Sequence, residues 1–191
     1  MKQGEKTKQL ILSTANDLFY QQGYSKTSIN DIVKLTGIGK GNVTYHFKSK
    51  RDILHGVVDI RNINITKKLN SWDDEISSVT GRLERFCDIL AIEQESLIKF
   101  GCPMGTLIGE LSKSELPLYE ISLPMLNNFR VWLKKQFKLL GYPNKKADEY
   151  ALELLGRTQG ISAGTHMLKD TDFLNREIKK LKHYIHTITK K

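Results

Sequence analysis

The sequence predicts an all-α fold: a three-helix N-terminal domain containing a helix-turn-helix, joined to a larger helical domain. Three observations carry this expectation. Apolar residues recur at helical spacing along most of the chain, no stretch reads as a strand, and two short helices flank a glycine turn between Ser28 and Phe47. The expected division places residues 1–50 in the first domain and 51–191 in the second.

Each element has its own warrant. From Lys6 to Gln22, residues Leu10, Ile11, Ala15, Leu18 and Phe19 share one helical face, and Gly23 stops the helix. Thr27 or Ser28 then caps a second helix, with Asp31 spaced to complete a capping box and Ile29, Ile32 and Val33 as its buried stripe. Gly37, within Thr36-Gly37-Ile38-Gly39, closes that helix and reverses the chain. A third helix covers about Lys40 to Phe47, and Ser49 with Asp52 opens a longer fourth one carrying Ile53, Leu54, Val57 and Val58 inward. Further helices are expected near 76–99, 103–113, 117–141, 145–168 and 171–189, with Pro124 kinking or splitting the third of these.

Composition narrows the function classes. Of 191 residues, 39% are hydrophobic and 27% charged, which is ordinary globular usage. No apolar run is long enough for a membrane span, and the start lacks the apolar stretch of a secretory signal, so a cytoplasmic protein is expected. Cys87 and Cys102 are the only cysteines and are read as free thiols. The formal charge of +9 is uneven: residues 1–50 hold eight lysines against three acids, a net +5, leaving +4 for the other 141. Such a concentration favours a polyanionic partner over a merely solvated face.

The helix-turn-helix gives that charge a geometry. In such a unit the second short helix enters the major groove and presents the side chains of its first turns to base edges. Gly39, Gly41 and Asn42 keep the leading turn slim, and Lys40 can reach a guanine edge or a phosphate. Val43 and Phe47, four apart, face the core, which leaves Thr44, Tyr45 and His46 towards DNA, followed by Lys48-Ser49-Lys50. The alternative reading has Tyr45 and His46 padding the junction with the fourth helix.

Thr27-Ser28-Ile29-Asn30-Asp31-Ile32 followed by Gly37-Ile38-Gly39-Lys40-Gly41-Asn42-Val43-Thr44-Tyr45-His46-Phe47-Lys48-Ser49-Lys50 resembles the DNA-binding signature of the TetR/AcrR family of transcriptional regulators. The resemblance implies phosphate contacts from Tyr45, His46 and Lys50, and anchoring of the second helix to the DNA backbone by Thr27 or Ser28. Thr44 departs from the pattern, standing where the family often has a second aromatic. Gly101-Cys102-Pro103-Met104-Gly105-Thr106-Leu107-Ile108-Gly109-Glu110-Leu111 is similar to a segment of the LmrA/YxaF-like branch. It implies an effector cavity for small, lipophilic or aromatic compounds whose binding releases DNA. Phe100, Met104, Leu107 and Leu111, with Phe129, Trp132 and Phe137, are the apolar candidates to line it, ordinary core packing being the alternative. Glu110 is the charged group within that run, requiring a partner or a cationic ligand if buried.

A homodimer is also expected. Leu174, Ile178, Leu181, Ile185 and Ile188 form a seam at alternating spacings of four and three, and Gly156, Gly160 and Gly164 recur every fourth residue on the preceding helix. Each glycine costs about 1 kcal/mol of helix propensity, which a closely packed neighbouring helix would offset. The family's four-helix dimer bundle supplies one; a seam buried within one subunit is the alternative. The resulting expectation is an effector-released repressor that binds double-stranded operator DNA as a homodimer, with no cofactor, no metal and no membrane partner. Two rivals remain: a helix-turn-helix protein without an effector, and an enzyme using Cys102 with His166, for which no nucleophile motif is present. His183 and His186 lack the further ligands a metal site needs.

Overall fold

The computed structural model describes residues 3–113 and 116–190; Lys2, counted in the N-terminal charge, lies outside them. Among the described residues there are eleven helices and no strand: α1 Gln3–Gln21, α2 Ile29–Thr36, α3 Lys40–His46, α4 Lys50–Glu75, α5 Val79–Ile92, α6 Gln94–Phe100, α7 Pro103–Leu111, α8 Leu116–Ser122, α9 Pro124–Leu139, α10 Asn144–Leu168 and α11 Thr171–Thr189. The span 117–141 divides at Pro124, where the missing N–H ends one helix and the fixed φ suits the start of the next. The span 76–99 also divides, at Glu93, which carries φ −96° and ψ 17°. No helix among the described residues is long and apolar enough to cross a membrane.

The chain forms two compact units, Met1–Ile63 with Thr106–Met125, and Asn64–Gly105 with Leu126–Lys191. The expected boundary after residue 50 follows chain order, whereas contacts group a stretch from beyond residue 105 with the first helices.

In the first unit α1 buries Ile11, Leu12, Ala15, Leu18 and Phe19. Leu12 takes the place expected for Leu10, which is exposed. The α2 start is a full capping box: Ser28 Oγ accepts the Asp31 N–H at 3.2 Å, and the Asp31 carboxylate accepts the Ser28 N–H at 2.7 Å. The Ser28 hydroxyl, donating to Asp31 Oδ2 at 2.7 Å, and the Ser28 N–H together hold the Asp31 carboxyl below its ordinary pKa. Gly37, at φ 68°, closes α2 by donating its N–H to Val33 O, and this left-handed turn redirects the chain into α3. The Arg61 guanidinium on α4 donates to Asn16 Oδ1 on α1 at 2.8 Å.

In the second unit α11 lies along α5, with Leu174, Ile178, Leu181 and Ile185 buried on one side and Leu83, Phe86, Cys87 and Leu90 on the other. Lys182–Asp88 and His186–Glu84 pairs flank this seam. The short α6 packs on α10, and its carboxyl end is capped by Lys169, whose Nζ donates to Ile98 O and Lys99 O, placing a cation at the negative end of the helix. Asp73, near the end of α4, organises a second polar centre: its Oδ1 accepts Trp132 Nε1–H at 3.1 Å and Gln136 Nε2–H at 2.9 Å, and its Oδ2 accepts Lys135 Nζ at 2.7 Å. Trp72 meets Trp132 edge to face beside it.

Candidate nucleic-acid interface

The α3 helix is presented by its neighbours rather than by its own length of seven residues. Val43 is fully buried and Phe47 nearly so, which turns the opposite side outward. Gly39, Lys40, Gly41 and Asn42 are exposed, and the Tyr45 side chain, 75% accessible, meets the His46 ring edge to face. A tyrosine this exposed has no packing reason to be there, whereas its hydroxyl and flat ring suit a sugar-phosphate edge. Thr44 is half-buried and its hydroxyl donates to Lys40 O and Gly41 O, which leaves its methyl and lone pairs for a partner. Lys48 is exposed immediately after the helix.

Three residues expected at the DNA differ in availability. Thr27 is 1% accessible, and its hydroxyl donates to Gly23 O at 2.7 Å while accepting from Gln22 Nε2. It braces the turn before α2 and is not free for a phosphate. Ser28 is exposed, with its hydroxyl engaged in the α2 cap. Lys50, half-buried, donates from Nζ to Tyr24 O and Thr27 O, both at 2.9 Å, and lies 4.2 Å from the Tyr24 ring centroid. Burial draws its pKa below the ordinary lysine value despite the nearby Glu110 charge. Its ammonium therefore faces the protein, correcting the simple picture of a phosphate-seeking side chain.

The expected effector residues fall on both sides of the division between units: Leu107, Glu110 and Leu111 in the first, Phe100, Met104, Phe129, Trp132 and Phe137 in the second. Leu107 and Leu111 are buried, Phe100 and Met104 half-buried. Phe129 packs on Phe86, Trp132 on Trp72, and Phe137 on Tyr142 and Tyr150, so these three have core partners. Glu110 has both carboxylate oxygens on the backbone N–H groups of Tyr24 and Ser25, at 2.9 and 2.7 Å, which answers its need for a partner without a ligand.

The expected dimer residues divide as well. Leu174, Ile178, Leu181 and Ile185 are buried within the chain, and Ile188 is half-buried, its carbonyl accepting the Tyr142 hydroxyl. This seam is filled by α5 and is not a free face. A Cβ at Gly164 would stand 2.9 Å from the Phe173 ring, so that glycine answers to an intrachain contact. Gly156 and Gly160 are exposed, with nothing within 4 Å of an added Cβ. They share an outward stripe of α10 with Leu152, Ala163 and Met167.

The sequence profile of bacterial regulatory proteins of the tetR family matches residues 11–57, the stretch that contains α2, the glycine turn and α3. Residues 11–57 are a TetR-family N-terminal domain. A helix-turn-helix transcriptional regulator encoded in the lacX 3′ region of Lactococcus lactis is 38% identical over 109 residues, 56% of this chain and 55% of that protein. The regulator LmrA of Bacillus subtilis is 26% identical over 145 residues, covering 75% and 77% of the two chains. For the first curated relatives, the matched region spans about half their length or less. Among solved structures, a TetR transcriptional regulator from Legionella pneumophila superposes with a TM-score of 0.84 over 96% of this chain and 97% of its own, at 24% identity, which establishes the shared fold.

Within this TetR-type domain the helix-turn-helix displays the exposed side of α3 outward. What the sequence did not disclose is the turn at Gly23–Ser25, where Glu110 and Lys50 meet the backbone. Gly23 alone signalled it, as a helix stop.

Proposed function

We propose that this TetR-family regulator is a repressor that binds operator DNA as a homodimer, each copy placing α3 in the major groove, and that a small effector releases it. The observation that carries the reading is the outward face of α3: Lys40, Gly41, Asn42 and Tyr45 are exposed while Val43, on the same short helix, is buried. Base edges are then met by Lys40 and Asn42, and phosphates by Tyr45, His46 and Lys48. Two copies would address half-sites about 34–36 Å apart. Selection of bound duplexes from a random pool tests this reading; it should enrich a two-fold symmetric sequence, and recovery of unselected DNA would count against it.

The dimer reading is supported by the α10 stripe Leu152, Gly156, Gly160, Ala163 and Met167, where small residues allow close approach of a second helix. Gly160→Arg, with open space around it in the single chain, should leave the helical content intact and convert dimer to monomer in sedimentation. A dimer unaffected by this bulky charge would place the interface elsewhere.

The effector reading rests on the resemblance of 101–111 to LmrA/YxaF-like regulators. A second support is the α10 face carrying buried Thr158, Ser162 and Thr165, of which Thr165 Oγ1 has no hydrogen-bond partner among the described residues. An interior hydroxyl left unmatched favours a ligand with a polar group among its apolar ones. By linkage, an effector that weakens operator binding 5- to 150-fold, typical of about 1–3 kcal/mol, is itself bound more weakly by that factor on DNA. The cytoplasm is the compartment this reading requires.

A further inference from the structure

The turn between α1 and α2 is gripped from two sides by opposite charges. Gly23 has φ 91°, and the next two backbone N–H groups, of Tyr24 and Ser25, each meet one oxygen of the Glu110 carboxylate. Successive N–H groups after a left-handed residue form a concavity suited to an anion. Here the anion is a side chain from α7, 85 and 86 residues further along the chain and inside the same compact unit. A Cβ at residue 23 would stand 2.9 Å from Glu110 Oε2, so glycine serves both the backbone angle and the close approach. Lys50 takes the carbonyl groups of Tyr24 and Thr27, and the Thr27 hydroxyl closes the turn onto Gly23 O. Ser28, the next residue, is the cap of α2. The direction in which α2 leaves α1, and hence the pose of α3, is set at this point.

We propose that Glu110 is a positioning residue for DNA binding: its carboxylate fills the Gly23–Ser25 amide concavity and fixes the pose in which α2 and α3 meet the groove. The role rests on the DNA-binding reading above. Charge-assisted bonds to backbone N–H groups are stronger than neutral ones, and the pair is oriented by its two separate acceptor oxygens. Burial pushes the Glu110 carboxyl up in pKa, but the bonds from Ser25 and Tyr24 and the Lys50 charge hold it below the ordinary value. The site therefore favours the ionised form over a neutral amide.

Full-length wild type, Glu110→Gln and Glu110→Asp are compared by hydrogen exchange and by binding to a duplex selected by the wild type. In Glu110→Gln one acceptor becomes a donor facing a donor. The Tyr24 and Ser25 amides should exchange at least about tenfold faster, and duplex affinity should fall about tenfold. The salt slope should stay unchanged, because no phosphate contact is removed. Glu110→Asp, which restores the charge on a shorter arm, should recover part of both losses, and it carries the test should the amide prevent folding. Unchanged protection at Tyr24 and Ser25, or faster exchange with full duplex affinity, would overturn the proposal. A wild type that binds no duplex instead overturns the DNA-binding reading on which it rests.

Discussion

Replacing Asp73 with alanine is expected to lower the unfolding midpoint by about 6–12 °C. The substitution removes the acceptor of the Trp132 indole N–H, of the fully buried Gln136 amide and of the Lys135 ammonium, and takes the charge away from Arg82. Lys135 is largely exposed and contributes little. The orphaned indole and amide dominate, and together with the lost charge they amount to about 3 kcal/mol, each kcal/mol being worth about 2–4 °C in a chain of this size. The fluorescence of Trp72 and Trp132 reports the transition, since these are the two tryptophans and they pack together next to the site. Asp73→Asn, with its carbonyl oxygen in the Oδ1 position, keeps both acceptor bonds and should lose about 1 kcal/mol.

The same pair of variants separates charge from shape through pH. Burial pushes the Asp73 carboxyl up, but hydrogen bonds and charges from Lys135, Gln136 and Arg82 more than offset it, and the folded-state pKa lies below the ordinary value. A depressed carboxylate contributes stability that is fully present above its unfolded pKa of about 3.9 and fades as pH falls through the lower folded value. Wild-type stability should therefore drop more steeply below about pH 4 than that of Asp73→Asn. Parallel curves would remove Asp73 from the acid response.

Joint replacement of Lys40 and Lys48 by alanine is the change with the largest expected effect on DNA. Both side chains are exposed at the ends of α3, and neither contributes to the buried core. If each neutralises one phosphate, the slope of log affinity against log salt should become shallower by about 1.8, and affinity at 0.1 M salt should fall about fifty- to hundredfold. Helical content and unfolding midpoint should stay close to wild type. Lys50→Ala makes the informative contrast: its ammonium is held by Tyr24 O and Thr27 O, so the slope should change little while the turn loses two bonds.

Local chemistry made the reading head legible. Ser28 and Asp31 cap α2, Gly37 turns the chain, Val43 and Phe47 point inward, and Pro124 separates two helices, each through an interaction spanning four residues or fewer or through a backbone limit of its own. What depended on distant partners was not legible. The break at Glu93 sits among residues that all tolerate a helix; tertiary packing places it there, with α5 against α11 and α6 against α10. Periodicity identified the α11 seam as buried, but a spacing of three and four cannot tell a second copy from α5. The partners of Glu110 lie 85 and 86 residues away, and no local pattern links a lone carboxylate to a turn at that separation.

Competition at matched salt between a selected duplex and a scrambled one, with the number of chains per bound duplex measured in the same sample, reads sequence choice and stoichiometry together. A regulator that reads its operator as a dimer should prefer the selected duplex about a thousandfold or more, with an even number of chains in the complex. Equal affinity for both duplexes, or a complex holding a single chain, would contradict that reading.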